Sequence, residues 1–336
     1  MAGRMQGGGG EAGGEGAEEA ANRAIEAEPY SVPAHVLKGD CRAAAGDRDL
    51  ACYFYARAIE LAELQGLAPS TPEVERAARI LRELQEQAHR EREACLASRG
   101  LPPDAWSPRL RQSLEVAAGR RKLYRQQPTA FDYPGLPHVQ FYERSEFGWA
   151  AAVEAAAPAI RDELLALLAE GADSFRPYIQ SDTGSIPLRD NKALLNSRDW
   201  SVLPICEQGW LAPDLVAKCP RTLEAVLQAP VPRVSGWGPT IVFSMLKAGA
   251  RIAPHTGMFN ARLICHLPLV VPPNCRFRVG NEVREWEEGK LLIFDDTIEH
   301  EAWNESDEDR IVLIFDIWRP ELSERERHEL TALFSD

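Results

Sequence analysis

The chain is 336 residues long, 45% hydrophobic and 26% charged, with a formal net charge of −13. That length suggests about two domains, the apolar share suffices for ordinary cores, and the acid excess argues against a nucleic-acid partner, because phosphate binding needs clustered Lys and Arg. Seven cysteines without a Cys-x-x-Cys spacing fit neither a zinc site nor a disulfide framework and suit a reducing compartment. No run reaches the roughly 20 apolar residues of a membrane span, and no apolar leader follows Met1, so a cytoplasmic location with no membrane partner is expected by elimination.

Residues 1–16 are rich in Gly and Glu and are expected to form a disordered tail. Residues 17–100 are expected to form a helical region. Arg-Ala-Ile-Glu occurs at 23–26 and again at 57–60, an offset of 34 residues (57 − 23), which is the period of tetratricopeptide repeats; a plain helical hairpin fits the same pattern. Gly39-Asp40 and Gly46-Asp47 are expected to break the helices, and residues 49–64 to form one uninterrupted helix carrying Tyr53, Phe54 and Tyr55. A third helix should start with Thr71 as cap and Pro72 at its first position. Its stripe of Val74, Ala77, Leu81, Leu84 and Ala88 faces a neighbouring helix. Such helices either shape a groove for a protein partner or simply pack. Residues 101–137 are expected to form a connector, with a helix at 109–124 between Pro102-Pro103 and the prolines 128, 134 and 137.

The remainder, 138–336, begins with an amphipathic helix at 153–170 and turns to strand after Gly238. Segments 240–246, 261–271, 275–279, 290–294 and 311–317 are short, rich in Val, Ile and Phe, and separated by Gly, Pro or Asn turns. Gly280-Asn281 and Glu288-Gly289 are expected hairpin corners. The fold class is therefore α+β: a C-terminal double-stranded β-helix, or jelly roll, after a tetratricopeptide-like helical region. A double-sheet jelly roll brings distant strands to one metal in its mouth.

The segments Pro254-His255-Thr256-Gly257, Phe294-Asp295-Asp296-Thr297-Ile298-Glu299-His300-Glu301 and Arg310 to Asp316 carry the chemistry. Two imidazoles and a buried arginine suggest an iron site for an oxo-acid. In facial-triad irons a carboxylate stands two positions after the first histidine; here that position is Gly257, which has no side chain to ligate. Two imidazoles by themselves would also suit zinc, copper or nickel. Arg262, Ile264 and His266 share one face of a strand by period-two alternation. A lone histidine on an apolar strand is ordinarily a core residue. Of the others, His35, His89 and His328 lie in polar helical stretches and His138 near a Pro-rich link, so all four are expected at the surface. Asp295 and Asp296 follow a strand and are expected to cap a turn rather than bind metal.

With His-Thr-Gly at 255–257, Asn-x-Arg-Leu at 260–263, His-Leu at 266–267, Glu-Gly-Lys at 288–290, Phe-Asp-Asp at 294–296, Glu-His-Glu-x-Trp at 299–303, Arg310 and Trp-x-Pro-Glu-Leu at 318–322, the stretch from about Pro137 to the C-terminus resembles the aspartyl/asparaginyl β-hydroxylases. These are Fe(II)- and 2-oxoglutarate-dependent oxygenases in which a glycine likewise replaces the carboxylate. The resemblance implies His255 and His300 as metal ligands, Ser244 and Arg310 on the distal carboxylate of 2-oxoglutarate, and His266 on its proximal carboxylate. An arginine fork with a neighbouring hydroxyl suits a carboxylate. It further implies that O₂ and 2-oxoglutarate are consumed in hydroxylating an aspartyl or asparaginyl residue of a peptide or protein, or a related small molecule, with Arg262 holding the substrate's carboxylate or amide. Ile264 departs from the pattern, since animal members generally carry a second arginine there.

Three alternatives stand beside this one. An iron without its carboxylate could host chloride, as in carrier-dependent halogenases; relatives that hydroxylate lipid acyl chains offer another substrate class; and a helical-repeat adaptor could keep the jelly roll only to bind a ligand.

Overall fold

The computed structural model describes residues 11–171, 175–180 and 191–335. The chain parts into two compact units, Met1–Lys122 and Leu123–Asp336, each taken by itself below. Residues 1–10, most of the expected tail, lie outside the described residues.

The first unit is a run of helices: α1 (Glu11–Ala27), α2 (Val32–Ala44), α3 (Arg48–Leu64), α4 (Pro72–Ser98) and α5 (Pro108–Ala117). Val36, Tyr55, Leu61 and Val74, interleaved with the small residues Ala51, Ala58 and Ala77, form its core. The Asp47 side chain caps α3 by accepting from the Leu50 amide, and Gly46 takes the positive φ that ends α2. Gly39-Asp40, expected to break a helix, lies inside α2 instead. A Cβ at Gly39 would lie 2.8 Å from the Tyr55 ring, so this glycine serves close packing rather than a turn. Thr71 stands at the cap position of α4 without a side-chain cap bond. The expected helix at 109–124 stops early, at Ala117, because Gly119 adopts a positive φ. Two histidines expected at the surface are buried: His35, which donates through Nδ1 to the Ser31 carbonyl at 2.9 Å, and His89, beside Glu93 on the next turn. Both lie on helix faces that pack inward. His138 and His328 are exposed as expected.

The second unit carries β1 (Phe141–Tyr142), α6 (Ala150–Ala155), α7 (Ala157–Glu170), β2 (Arg176–Pro177), β3 (Trp200–Glu207), β4 (Trp210–Leu211), α8 (Pro213–Lys218), α9 (Pro220–Val226), β5 (Ile241–Leu246), β6 (Arg251–His255), β7 (Arg262–Val270), β8 (Cys275–Val279), β9 (Glu282–Glu285), β10 (Leu292–Phe294), β11 (His300–Asn304), β12 (Arg310–Trp318) and α10 (Glu324–Phe334). The expected single helix near 153–170 is two, because Pro158 opens α7 without a backbone N–H to continue α6. The larger sheet runs β1-β10-β7-β12-β5-β3-β2, with β4 on β3, and the smaller runs β6-β11-β8-β9.

Strand alternation explains the layers. Along β12, Ile311, Leu313, Phe315 and Ile317 join Phe243, Leu263 and Leu267 against α6 and α7 residues Val153, Ile160 and Leu164. The intervening Val312 and Ile314 turn the other way, with Leu246 and Ile264, onto Ile252, Phe277, Val279 and Ala302 of the smaller sheet. The larger sheet is thus buried on both faces, which its near-continuous apolar strands require. Two antiparallel sheets closed over one interior are a jelly roll. Its interior holds the polar residues considered next.

Candidate metal and oxo-acid site

His255 ends β6 and His300 begins β11, and the two are direct cross-strand partners. Their ring centroids are 4.1 Å apart. Each ring donates through Nδ1 to a carbonyl two residues earlier, His255 to Ala253 at 2.8 Å and His300 to Ile298 at 3.1 Å. Those bonds place the proton on Nδ1 and make Nε2 the unprotonated nitrogen of each ring, the one able to ligate a metal. Burial lowers the pKa of His255 and pushes that of His300 well below the ordinary imidazole range, with His255 adding to the shift of His300. Neutral imidazoles are the ligating form. Among the described residues no group of three His, Cys, Asp or Glu side chains gathers to hold a metal.

Gly257 owes its identity to Asp296. A Cβ at Gly257 would lie 2.0 Å from the Asp296 Oδ2, so the carboxyl of Asp296 occupies the space that a side chain at 257 would need. Asp296 is buried, its Oδ1 has no hydrogen-bond partner, and burial raises its pKa to about 7. The expectation of a turn cap holds for Asp295 alone, which accepts from the Thr297 amide at 3.0 Å and pairs with buried Arg319 at 2.8 Å.

The interior also holds a buried cation. Arg310, 1% exposed, begins β12 and lies over the Trp286 ring at 4.7 Å. Its Nε and Nη2 have no partner, and no carboxylate pairs with it among the described residues. Burial lowers its pKa to about 10. An isolated guanidinium in the interior is costly unless an anion completes it. Ser244 sits on the same face, since it pairs with Val312 across β5 and β12. Its Oγ accepts from the Trp200 indole at 3.2 Å, which leaves the hydroxyl proton free to donate. His266, also buried, accepts at Nδ1 from the Trp286 indole at 3.4 Å, which leaves Nε2–H as a donor. Burial first, and Arg310 second, push its pKa well below the ordinary range. Arg310, Ser244 and His266 thus present donors with no competing carboxylate among the described residues, an arrangement suited to a dicarboxylate.

At the other end of β7 stands Arg262. It is not free: its Nη1 donates to Asp316 Oδ2 at 2.8 Å. The sequence reasoning gave Arg262 a role in holding substrate and missed this pairing, although Asp316 falls on the face of Arg310 by even spacing along β12. It also missed Trp200, Trp286 and Tyr178. The Tyr178 ring stacks on Trp200 with centroids 4.1 Å apart, and its phenol feels the charges of Arg262 and Asp296.

The interior of this jelly roll thus gathers two histidines protonated at Nδ1 and a buried arginine with no carboxylate partner among the described residues. The comparisons narrow the fold to a family. Residues 154–320 match the family described as aspartyl/asparaginyl beta-hydroxylase, and the chain belongs to this family. It is 35% identical over 175 residues to the aspartyl/asparaginyl beta-hydroxylase of Homo sapiens, a match covering 52% of this chain and 21% of that protein. It is 35% identical over 191 residues to the ornithine lipid ester-linked acyl 2-hydroxylase of Rhizobium tropici, covering 56% of this chain and 63% of the other. With aspartate beta-hydroxylase domain-containing protein 2 of Xenopus tropicalis the identity is 27% over 213 residues, covering 62% and 55%. The chain therefore spans less than two thirds of the length of each of these relatives.

Proposed function

We propose that this protein is a 2-oxoglutarate- and Fe(II)-dependent dioxygenase that hydroxylates a carbon of an aspartyl or asparaginyl residue in a peptide or protein, or of a related small molecule. The observation that carries the proposal is Arg310, a buried guanidinium with no carboxylate partner among the described residues, in a jelly roll whose paired histidines His255 and His300 are protonated at Nδ1. The fit is chemical: neutral imidazole nitrogens suit Fe(II), and a guanidinium fork with hydroxyl and imidazole donors suits the two carboxylates of 2-oxoglutarate. The printed names of the relatives, all hydroxylases or hydroxylase-domain proteins, support the same reading.

When bound, Fe(II) with 2-oxoglutarate and O₂ supplies the oxidising chemistry, releasing succinate and carbon dioxide. The chain's own residues do the rest. His255 and His300 would hold the metal, their rings fixed by Ala253 and Ile298. Arg310 and Ser244 would anchor the distal carboxylate and His266 would donate to the proximal one. Phe277, Phe294 and Trp286, packed around His266 and His300, exclude water from the interior, which strengthens each of these hydrogen bonds.

The test is iron-dependent release of carbon dioxide from 2-oxoglutarate by the full chain, with and without His300→Ala. Release that needs both iron and His300 supports the proposal. No release with any peptide or small acid favours a jelly roll that only binds its ligand.

A further inference from the structure

We infer that Gln126 is a positioning residue for the metal site: its side chain, with the segment 124–133 around it, ties the loop after His255 to the loop before His300. The inference rests on the proposed function and adds a determinant of metal affinity outside residues 154–320, the span that matches the hydroxylase family. Each histidine adjoins a loop, 256–261 after His255 and 295–299 before His300. The Nδ1 bonds hold each ring to its own backbone, and between the loops the Gly257 amide donates to the Asp296 carbonyl at 2.7 Å. Segment 124–133 supplies further ties. The Gln127 amide donates to the Thr297 carbonyl at 2.7 Å, and the amides of Thr129 and Ala130 donate to the carbonyls of Gly257 and Met258 at 3.0 and 3.1 Å. One stretch of backbone therefore bonds to both loops in turn. At its start the Tyr124 hydroxyl accepts from Arg278 at 3.2 Å, and Arg278 also holds Glu299 and Glu301, the two residues flanking His300.

Gln126 joins the loops with a single side chain. Its Nε2 donates to Asp295 Oδ2 at 2.6 Å, and its Oε1 accepts from Asn260 Nδ2 at 3.2 Å. Asp295 lies five residues before His300 (300 − 295) and Asn260 five after His255 (260 − 255). Both are buried and both are themselves fixed, Asp295 by Arg319 and Asn260 by the Tyr133 amide, which donates to its Oδ1 at 2.7 Å. A carboxamide offers a donor and an acceptor side by side. Turned over, it would set its oxygen against the Asp295 carboxylate and the Pro137 carbonyl, which Nε2 also meets at 3.0 Å. Gln126 thus fits in one orientation, with one loop at each end. A facial triad holds its metal by three side chains; with two, affinity depends more on how closely the pair is held, which the groups supporting them decide.

The experiment uses the full chain, with Mn(II) as the probe and its binding followed by electron paramagnetic resonance. The wild type is measured first, beside His300→Ala. A wild type that binds no Mn(II), or binds it equally well without His300, overturns the proposed metal site and this inference with it. If binding needs His300, then Gln126→Met, which keeps the length of the side chain and deletes both bonds, should raise the Mn(II) dissociation constant at least fivefold. Gln126→Glu, which sets a second carboxylate against Asp295, should raise it further. Thr222→Val is the control: it removes a buried hydroxyl bond to Glu163 at 2.6 Å, between α9 and α7, and should lower the urea midpoint without moving the dissociation constant. Amide hydrogen exchange of the metal-free wild type reads the segment directly. Protection of the Gln127 and Thr129 amides alongside that of Gly257 supports the inference, and free exchange at Gln127 and Thr129 overturns it, even if no Gln126 variant folds. A dissociation constant unmoved in folded Gln126→Met, or moved as far in Thr222→Val, also overturns it while leaving the assignment of His255 and His300 intact.

Discussion

His255 and His300 face each other across the β6–β11 ladder, and each is tied by Nδ1 to a carbonyl two residues back in its own strand or turn. The ties are short and local, so neither ring needs the metal to hold its position. His300→Ala removes one of the two proposed ligands without touching the ladder's backbone bonds. Metal content of the purified protein should fall from about one equivalent towards zero, and 2-oxoglutarate turnover by at least a hundredfold, while the far-ultraviolet circular dichroism spectrum stays unchanged. Full metal loading in this variant would remove His300 from the site.

Arg310→Met makes two predictions of opposite sign. The guanidinium pKa is lowered to about 10 by burial, so at neutral pH the charge costs the fold free energy in the absence of a partner. Methionine keeps most of the apolar stem over Trp286 and removes that cost. The melting temperature of the protein without 2-oxoglutarate should therefore stay level or rise. Loss of a charge-assisted hydrogen bond, worth roughly 1.5–3 kcal/mol, should weaken 2-oxoglutarate binding by about ten- to a hundredfold. A destabilised variant with unchanged cosubstrate affinity would make Arg310 a structural residue only.

The strands of the second unit were legible because period-two alternation and β-branched content persist along β5, β7, β8 and β12, and the candidate residues Ser244, Arg262, His266 and Arg310 lie on three of them. What escaped has physical causes. Gly39 reads as a helix breaker, yet it lies mid-helix beneath Tyr55, and no local pattern distinguishes a turn glycine from a packing glycine. Trp286 lies between β9 and β10 and reaches His266 only through the fold. The pairing of Arg262 with Asp316 spans two strands whose register depends on tertiary structure. The burial of His35 and His89 depends on which helix faces meet, and their polar neighbours in sequence concealed that.

Trp286→Phe tests whether an indole N–H sets the proton on His266. Phenylalanine keeps an aromatic ring beneath Arg310 and deletes the donor to Nδ1. The imidazole can then place its proton on either nitrogen, and the form with Nε2 unprotonated cannot donate to a carboxylate. The KM for 2-oxoglutarate should rise several-fold with a smaller change in kcat, and nitrogen-15 imidazole spectra should show a mixture of tautomers. A single unchanged tautomer would mean that His266 is held by something else.

Acid should destabilise the protein through these buried rings. Burial pushes His300 and His266 well below 6.5, with His255 and Arg310 respectively as the next causes. The unfolded chain then takes up protons first, so stability is retained above about pH 6.5 and falls as pH drops below it. Each fully depressed histidine contributes about 1.4 kcal/mol per pH unit. The urea midpoint of the metal-free protein should fall between pH 7 and 5.5, and less steeply in His266→Gln. A midpoint flat across that interval would show that the imidazoles titrate as exposed ones do.

Gly257 and Asp296 compete for one volume. With the built Cβ only 2.0 Å from Oδ2 and 2.3 Å from Cγ of Asp296, Gly257→Ala must rotate a buried carboxyl out of place or shift the turn that follows β6. Overpacking of this kind costs about 1–3 kcal/mol. Turnover should fall with stability, because Gly257 stands two residues after His255 and a shifted turn would move the end of β6. The double substitution Gly257→Ala with Asp296→Ala clears the clash and should recover most of the stability lost by Gly257→Ala, a non-additivity expected of touching residues. Strict additivity in urea denaturation would mean that the glycine is required for another reason.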